Sequence, residues 1–481
     1  MEIKPLLQAM EAYRRAGVYP MHTPGHKGGR GADPDLKDLL GDRALAADVS
    51  LMAELDDIHH PSGCLRDAET LAAELYGADR CFFGVNGTSG VIHGMLLGAL
   101  RPGDRILVPR NSHKSVLGGL ILAGLQPVYL LPAWDDTWRL ALQITPRQVE
   151  EALDRDPSIK AVFLTTPNYF GLAADTEAIA GIAHAHGALL LVDEAHGPHL
   201  GFSDALPPSA MACGADAAAQ STHKITGALT QCSLLQVSYR RIRPERMEAA
   251  MSTVTTTSPN YLLMGSLDAA RAQLAAKGRA MAEASLAAAA VLRRALRSVP
   301  GLLVLEDELV GRGGVRAVDG GKVTILTSPL GLTGMEAADL LRAAGIAVEL
   351  ADEDHVLFLV TYADANDEFA AVSAVIRDTL QAGRKTGRQL EPAKPYRTLP
   401  VQRMLPREAF FASRQAVPFE AAAGRICGES ISFYPPGIPL IMPGEEIDSS
   451  LIRYCRQMQA RKLNVSGPRD SLLQTIEVIG S

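Results

Sequence analysis

This chain of 481 residues lacks the marks of a disulfide framework or a zinc site. Its six cysteines, at 64, 81, 213, 232, 427 and 455, form no CxxC pair and no regular spacing. That excludes a stapled secreted scaffold, suggests no metal ligand set, and fits a reducing compartment. Also missing is any run approaching the roughly 18 uninterrupted apolar residues of a membrane span. The opening MEIKPLLQAMEAYRRAGVYP has no apolar stretch behind a basic head, so a soluble, cytoplasmic protein is expected. Long basic blocks are absent and the net charge is -7, which argues against nucleic acid as a partner. A modest acidic balance does not oppose a cationic small-molecule substrate. Internal repeats are absent too.

What remains is ordinary globular composition, 47% hydrophobic and 21% charged, in a chain long enough for two or three domains. From about 66 to 240, short apolar runs alternate with helix-like stretches: CFFGV, RILVP, PVYLL, AVFLT, ALLLVDE and SLLQVS. That alternation predicts a parallel sheet built from βα units, with strands covered on both faces. A threonine-rich stretch, STVTTTSPN at 252–260, precedes an alanine-rich helical region over roughly 262–298. The runs LLVLED, KVTILTS, IAVELAD and VLFLVTY then predict a second, smaller α/β unit, with helices over 332–344 and 367–382. The polar GRKTGRQLEPAKP, 383–395, reads as a linker. The expected division is an N-terminal segment 1–65, a large domain 66–261, a linking helix and small domain 262–385, and a C-terminal domain 386–481.

Four polar clusters fall at predicted strand ends of the large domain. ALLLVDEAH delivers Asp193, Glu194 and His196 to the C-terminal edge of a parallel sheet, where ligands bind in open α/β folds. QSTHK, 220–224, places Lys224 on a predicted loop between apolar segments. GVNGTSG, 84–90, is a small-residue strand-to-helix turn whose amides and hydroxyls suit a phosphate. RNSHKS, 110–115, puts His113 after the strand RILVP. Taken singly, each has an ordinary reading: a capping acid, a solvated lysine, a loop, a satisfied histidine. Their joint occurrence at one sheet edge has a single explanation in pyridoxal 5'-phosphate (PLP). That cofactor needs a lysine for a Schiff base, an anion at its pyridine nitrogen, phosphate donors and a flat group against its ring. Lys224, Asp193, the Thr88/Ser89/Gly90 turn and His113 fill these roles in turn.

With these clusters in place, the chain resembles the Orn/Lys/Arg decarboxylases, a bacterial branch of fold type I PLP enzymes, in their short form. The likeness runs through MHTPGHKGG, LDDIHHPSG, NGTSG, NSHKS, VDEAHG, STHK and YPPGIPLIMPGE, in that order. It implies an α/β, aspartate aminotransferase-like large domain with a mainly parallel sheet, a smaller α/β domain, a C-terminal domain, and a homodimer or higher homo-oligomer. It also implies that Lys224 carries PLP, Asp193 faces the pyridine nitrogen and His113 stacks on the ring. Ser89, Ser221 and His223 would contact the phosphate, with Thr88 close by. His196 stands where large relatives can carry tryptophan, and Gly90 replaces a hydroxyl residue of some relatives.

The implied reaction is α-decarboxylation of a basic amino acid, with Lys224 or His223 delivering the proton to the α-carbon. The ending GES-ISFYPPGIP resembles arginine decarboxylases. Glu429 is an acid suited to a bidentate guanidinium contact, although a surface carboxylate is its plainer reading. Asp56 and Asp57 are further anions that would either meet the substrate or order the N-terminal segment. Lysine and ornithine remain alternative substrates. An aminotransferase or carbon-carbon lyase of the same fold, and a non-catalytic regulatory homologue, are the competing functions. PGHKGG and the C-terminal motif argue against the first pair, and Lys224 together with Asp193 argues against the last.

Overall fold

The computed structural model describes residues 3–391, 395–434, 438–461 and 463–480. Positions 392–394 of the expected linker and 435–437 of the proline-rich motif therefore lie outside the described residues. The chain divides into two compact units. The first comprises the chain up to Ala99, Leu191–Phe202 and Pro208–Ala280; the second comprises Leu100–Leu190, Ser203–Pro207 and the chain from Met281 on.

In the first unit the strands Arg80–Gly84, Ser233–Val237, Ala217–Gln220 and, from Leu191 on, Leu189–Asp193 lie in that order. Leu189–Asp193 and Ala217–Gln220 are parallel, with Asp193 opposite Ala219. Ser233–Val237 runs antiparallel to both of its neighbours, the one reversed strand of this set, which agrees with the expectation of a mainly parallel sheet. The connection 221–232 holds only the one-turn helix Thr222–Ile225, with no crossover helix of the kind that usually carries the chain back for a parallel return. Ala217–Gln220 had no strand signature, because three alanines and a glutamine carry none of the β-branched preference. Its burial on every residue makes it a strand all the same.

In the second unit Ile159–Thr165, Arg105–Pro109 and Gln126–Leu130 form a parallel set. A smaller sheet, Leu303–Val304, Lys322–Leu326, His355–Leu359 and Leu350–Ala351, is antiparallel throughout. Helices Gly334–Ala343 and Phe369–Ala382 supply Leu341, Ile376 and Leu380 to its core. IAVELAD and LLVLED form strands over only two residues each. Val315–Val318 and Leu172–Ala174, absent from the sequence reading, pair with one another. The C-terminal residues close their own core around Phe419, Cys427, Ile431, Leu451 and Cys455.

The alanine-rich region is one helix, Tyr261–Arg297, belonging to the first unit through Ala280 and to the second from Met281. Near its start Asp268, fully buried, accepts the backbone N–H groups of Leu6 at 3.0 Å and Leu7 at 3.2 Å. Those donors sit in the first turn of helix Pro5–Ala16, where the backbone has no helical acceptor. Arg271 donates both to Asp268 (2.6 Å) and to the carbonyl of Ile3 (2.5 Å). One buried carboxylate thus tethers the first helix. Asp268→Ala strands the Arg271 cation and is expected to cost about 3–5 kcal/mol, read by urea unfolding, with new protease cutting within residues 3–16.

Candidate active site

The apolar strand Leu189–Asp193 ends on a carboxylate that is 3% exposed. Asp193 Oδ1 accepts the N–H of Ala195 at 3.0 Å. Burial pushes this carboxyl above the ordinary range, and the charge of Lys224 pulls it back. Lys224 lies in the one-turn helix Thr222–Ile225, which corrects the expected loop, and its N–H bonds the carbonyl of Ser221 at 3.1 Å. Its Nζ is 3.0 Å from Nε2 of buried His196. An ammonium only donates, so Nε2 accepts and the ring carries its proton on Nδ1.

The GVNGTSG turn opens helix Gly87–Ala99, with Gly87 at φ +64°. Thr88 and Ser89 occupy the first turn, where amides have no acceptor within the helix and sit at the positive end of its dipole, whereas the N–H of Gly90 donates to the carbonyl of Asn86 at 3.4 Å. The hydroxyls of Thr88 and Ser221, both buried, hydrogen-bond one another. A side chain at 90 would bring its Cβ to 3.1 Å from that of Asn86, a tight contact that Asn86 would have to relieve by a small shift. His223 donates from Nδ1 to the carbonyl of Cys232 at 2.7 Å, leaving Nε2 for other chemistry. Two hydroxyls, a helix N-terminus, a lysine amine and a buried carboxylate make a donor set that suits PLP.

Glu194 had no role assigned from the sequence beyond its place at the strand end. It is buried, and its oxygens accept the N–H of Ala210 at 2.6 Å and the Gln220 amide at 2.7 Å. Gln220 immediately precedes Ser221, so this carboxylate ties together the strand ends that carry Asp193 and Lys224. A Cβ at Gly197 would lie 2.5 Å from Glu194 Cγ, which explains the glycine of VDEAHG.

Other sequence candidates have different surroundings. Asp56 accepts the N–H groups of Ser62 (2.9 Å) and Gly63 (2.7 Å) ahead of helix Cys64–Tyr76, and Asp57 that of His59 (2.9 Å). Of the two readings for this pair, ordering the N-terminal segment is the one with visible bonds. In the second unit, His113 caps helix Lys114–Ala123 and is exposed. Its Nδ1 accepts the N–H of Ser115 at 3.2 Å, so a neutral ring holds its proton on Nε2. Glu429 is buried, which corrects the surface alternative, and its two oxygens accept the N–H groups of Arg469 (2.7 Å) and Glu477 (2.9 Å). Among the described residues no cluster of three or more His, Cys, Asp or Glu is placed to hold a metal, and no helix is long and apolar enough to cross a membrane.

Burial pushes the Glu194 carboxyl up to about 8, against the hydrogen bonds from Gln220 and Ala210 and with the charge of Asp193 adding to the rise. Its ordinary value is 4.5. Between those values the folded chain binds a proton that the unfolded chain has lost. The group's contribution to stability is therefore full below about 4.5 and is lost as pH rises through about 8. Thermal melting across that window is expected to show a falling Tm for the wild type and a flatter profile for Glu194→Gln.

Comparison with known proteins places this arrangement. The family description "Orn/Lys/Arg decarboxylase, major domain" matches residues 4–311, and that family's C-terminal domain matches residues 391–468. An arginine decarboxylase of Bacillus anthracis is 39% identical over 477 residues, covering 99% of this chain and 97% of the relative. A lysine decarboxylase of Francisella novicida superposes with a TM-score of 0.84 at 21% identity, over 99% of this chain and 81% of that one. The serine palmitoyltransferase of Sphingomonas wittichii superposes at 0.54 with 18% identity, over 73% of this chain and 84% of that one, a likeness of fold alone. The large-domain fold is fold type I, as the motifs implied. From end to end, then, the chain belongs to the Orn/Lys/Arg decarboxylase family of PLP-dependent enzymes.

Proposed function

We propose that this chain decarboxylates arginine, releasing carbon dioxide and agmatine, as a cytoplasmic homodimer or larger homo-oligomer in polyamine formation. The observation that carries the substrate is the 39% identity, along nearly the whole chain, to proteins named arginine decarboxylase. Relatives named for lysine are 24–28% identical over the parts they match.

Lys224, Asp193, His113, Thr88, Ser89, Gly90, Ser221, His223 and His196 are the residues that would hold PLP. When bound, PLP supplies an electron sink conjugated to the substrate α-carbon, which lets the carboxylate leave as carbon dioxide. Lys224 must lose its ammonium proton before its Nζ has a lone pair to offer, and Nε2 of His196, 3.0 Å away, is the acceptor in place. The same pair can return that proton to the α-carbon after carbon dioxide departs. His223 is the alternative donor through Nε2, since its Nδ1 is held by the carbonyl of Cys232. Asp193, kept from water, stabilises a positive charge on the group it faces more strongly than an exposed acid would. The hydroxyls of Thr88, Ser89 and Ser221, with the first-turn amides, orient a phosphate. His113 offers the flat face of a neutral ring.

Carbon dioxide release is expected from arginine in excess of lysine and ornithine, with PLP added, and none above background from Lys224→Ala. Release from lysine or ornithine alone would reassign the substrate; release from none would leave another PLP reaction or a regulatory role. His196→Ala is expected to lower kcat about a hundredfold, within the range of a positioned proton-transfer group. An unchanged kcat removes His196 from the proton path. Glu429→Gln separates two tasks: a raised KM for arginine at unchanged Tm assigns the acid to the guanidinium, and a lowered Tm at unchanged KM assigns it to the backbone amides of Arg469 and Glu477.

A further inference from the structure

The motif PLIMPGE near the C-terminus has no part in the chemistry above, yet its glutamate makes a specific contact within the second unit. Glu445, 2% exposed, receives both ends of the Arg110 guanidinium, Nη1 to Oε1 at 2.8 Å and Nη2 to Oε2 at 2.7 Å. Nη2 also donates to the carbonyl of Leu440 at 2.9 Å, and the guanidinium lies 4.9 Å from the centre of the Tyr129 ring. Oε2 further accepts the N–H of Met442 at 2.8 Å, so neither partner of the pair can rotate alone. The Arg110 backbone N–H bonds the carbonyl of Leu130 at 2.7 Å. Only Asn111 and Ser112 separate Arg110 from His113, the cap of helix Lys114–Ala123. At the far end of that helix Arg407 donates from Nη1 to the carbonyls of Ile121 and Leu122, each at 2.9 Å. A cation there is favoured by the helix dipole and by carbonyls that have no helical donor.

We propose that Arg110 and Glu445, with Arg407 as a second clamp, are positioning residues through which the C-terminal region fixes the segment 110–123 and hence the ring of His113. The inference rests on the reading of His113 as the group that lies against the cofactor ring. A buried ion pair contributes little net stability over a well-packed apolar pair, because desolvation offsets the attraction. What a bidentate fork adds is a defined geometry. Arg110 is thereby tied to a region several hundred residues later in the chain, and the strand-end turn takes its position from that tie.

The test uses the full-length chain, apo and reconstituted with PLP. The double variant Arg110→Met/Glu445→Leu removes both charges at similar volume and leaves the Met442 N–H and the Leu440 carbonyl without these partners, so the apo chain is expected to fold with a modestly lowered Tm. Its PLP Kd is expected to rise about tenfold and its kcat to fall about tenfold with KM little changed, as for a misplaced group. The visible circular dichroism of the bound cofactor is expected to weaken. Wild-type Kd, dichroism and kcat in the folded double variant would overturn the inference. His113→Ala is the control: if it leaves Kd and dichroism unchanged, the reading of His113 falls and the inference with it. If His113→Ala alters them and the double variant does not, only the inference falls. Should the double variant not fold, exposed Arg407→Ala decides: a rise in Kd of about two- to threefold supports the clamp, and an unchanged Kd overturns it.

Discussion

A carboxylate at the buried end of an apolar strand has lost the water that would stabilise its charge, and the protein must replace that water with something fixed. Asp193 is in this position, and the replacements are one backbone amide and the charge of Lys224. The local architecture serves that requirement. Two parallel strands end side by side, the short return after Gln220 holds a single helical turn, and the next strand comes back antiparallel. Lys224 is thereby held near a strand end instead of on a long, mobile crossover. Its amine meets His196, three residues beyond Asp193, so both groups near the Lys224 amine are delivered by one loop.

Asp193 and Glu194 are adjacent, both buried, and set apart by what surrounds them. The first has a cation near it and one amide; the second has an amide and a side-chain donor, and a like charge beside it. Burial pushes both carboxyls above the ordinary range, so what divides them is their partners. Here the division leaves Asp193 as the acid facing Lys224 and Glu194 as the one that binds the two strand ends together.

Much of this was legible in the chain's order of residues. The apolar runs marked most strands of the parallel sets, and the polar residues just beyond them marked Asp193, Lys224 and the Thr88 turn. Where strands were short or made of alanine, as at Ala217–Gln220, the local signal was too weak, because burial and pairing decided the outcome. The antiparallel return was hidden for a related reason: strand direction depends on the connection and not on strand composition. Glu429 and Glu445 show the limit of reading acids one at a time. One receives backbone amides, the other a guanidinium more than three hundred residues earlier, and neither partner is visible in the local sequence. Glu194 was in view, but its task depends on Gln220 and Ala210, which only the fold brings to it.

The contact between Glu194 and the bare α-carbon of Gly197 makes those two positions interdependent. Any side chain at 197 collides with the glutamate and comes within 2.9 Å of Leu200 Cδ1, so shortening the glutamate relieves the larger part of the obstruction and leaves the rest to Leu200. Paired changes at the two sites should therefore be strongly non-additive, each being harmful in a background where the other is intact. Drift through this part of the candidate site is confined to a narrow corridor: the acid must shrink and Leu200 must shift before the glycine can be replaced, and the intermediate has loosened the tie between its two strand ends.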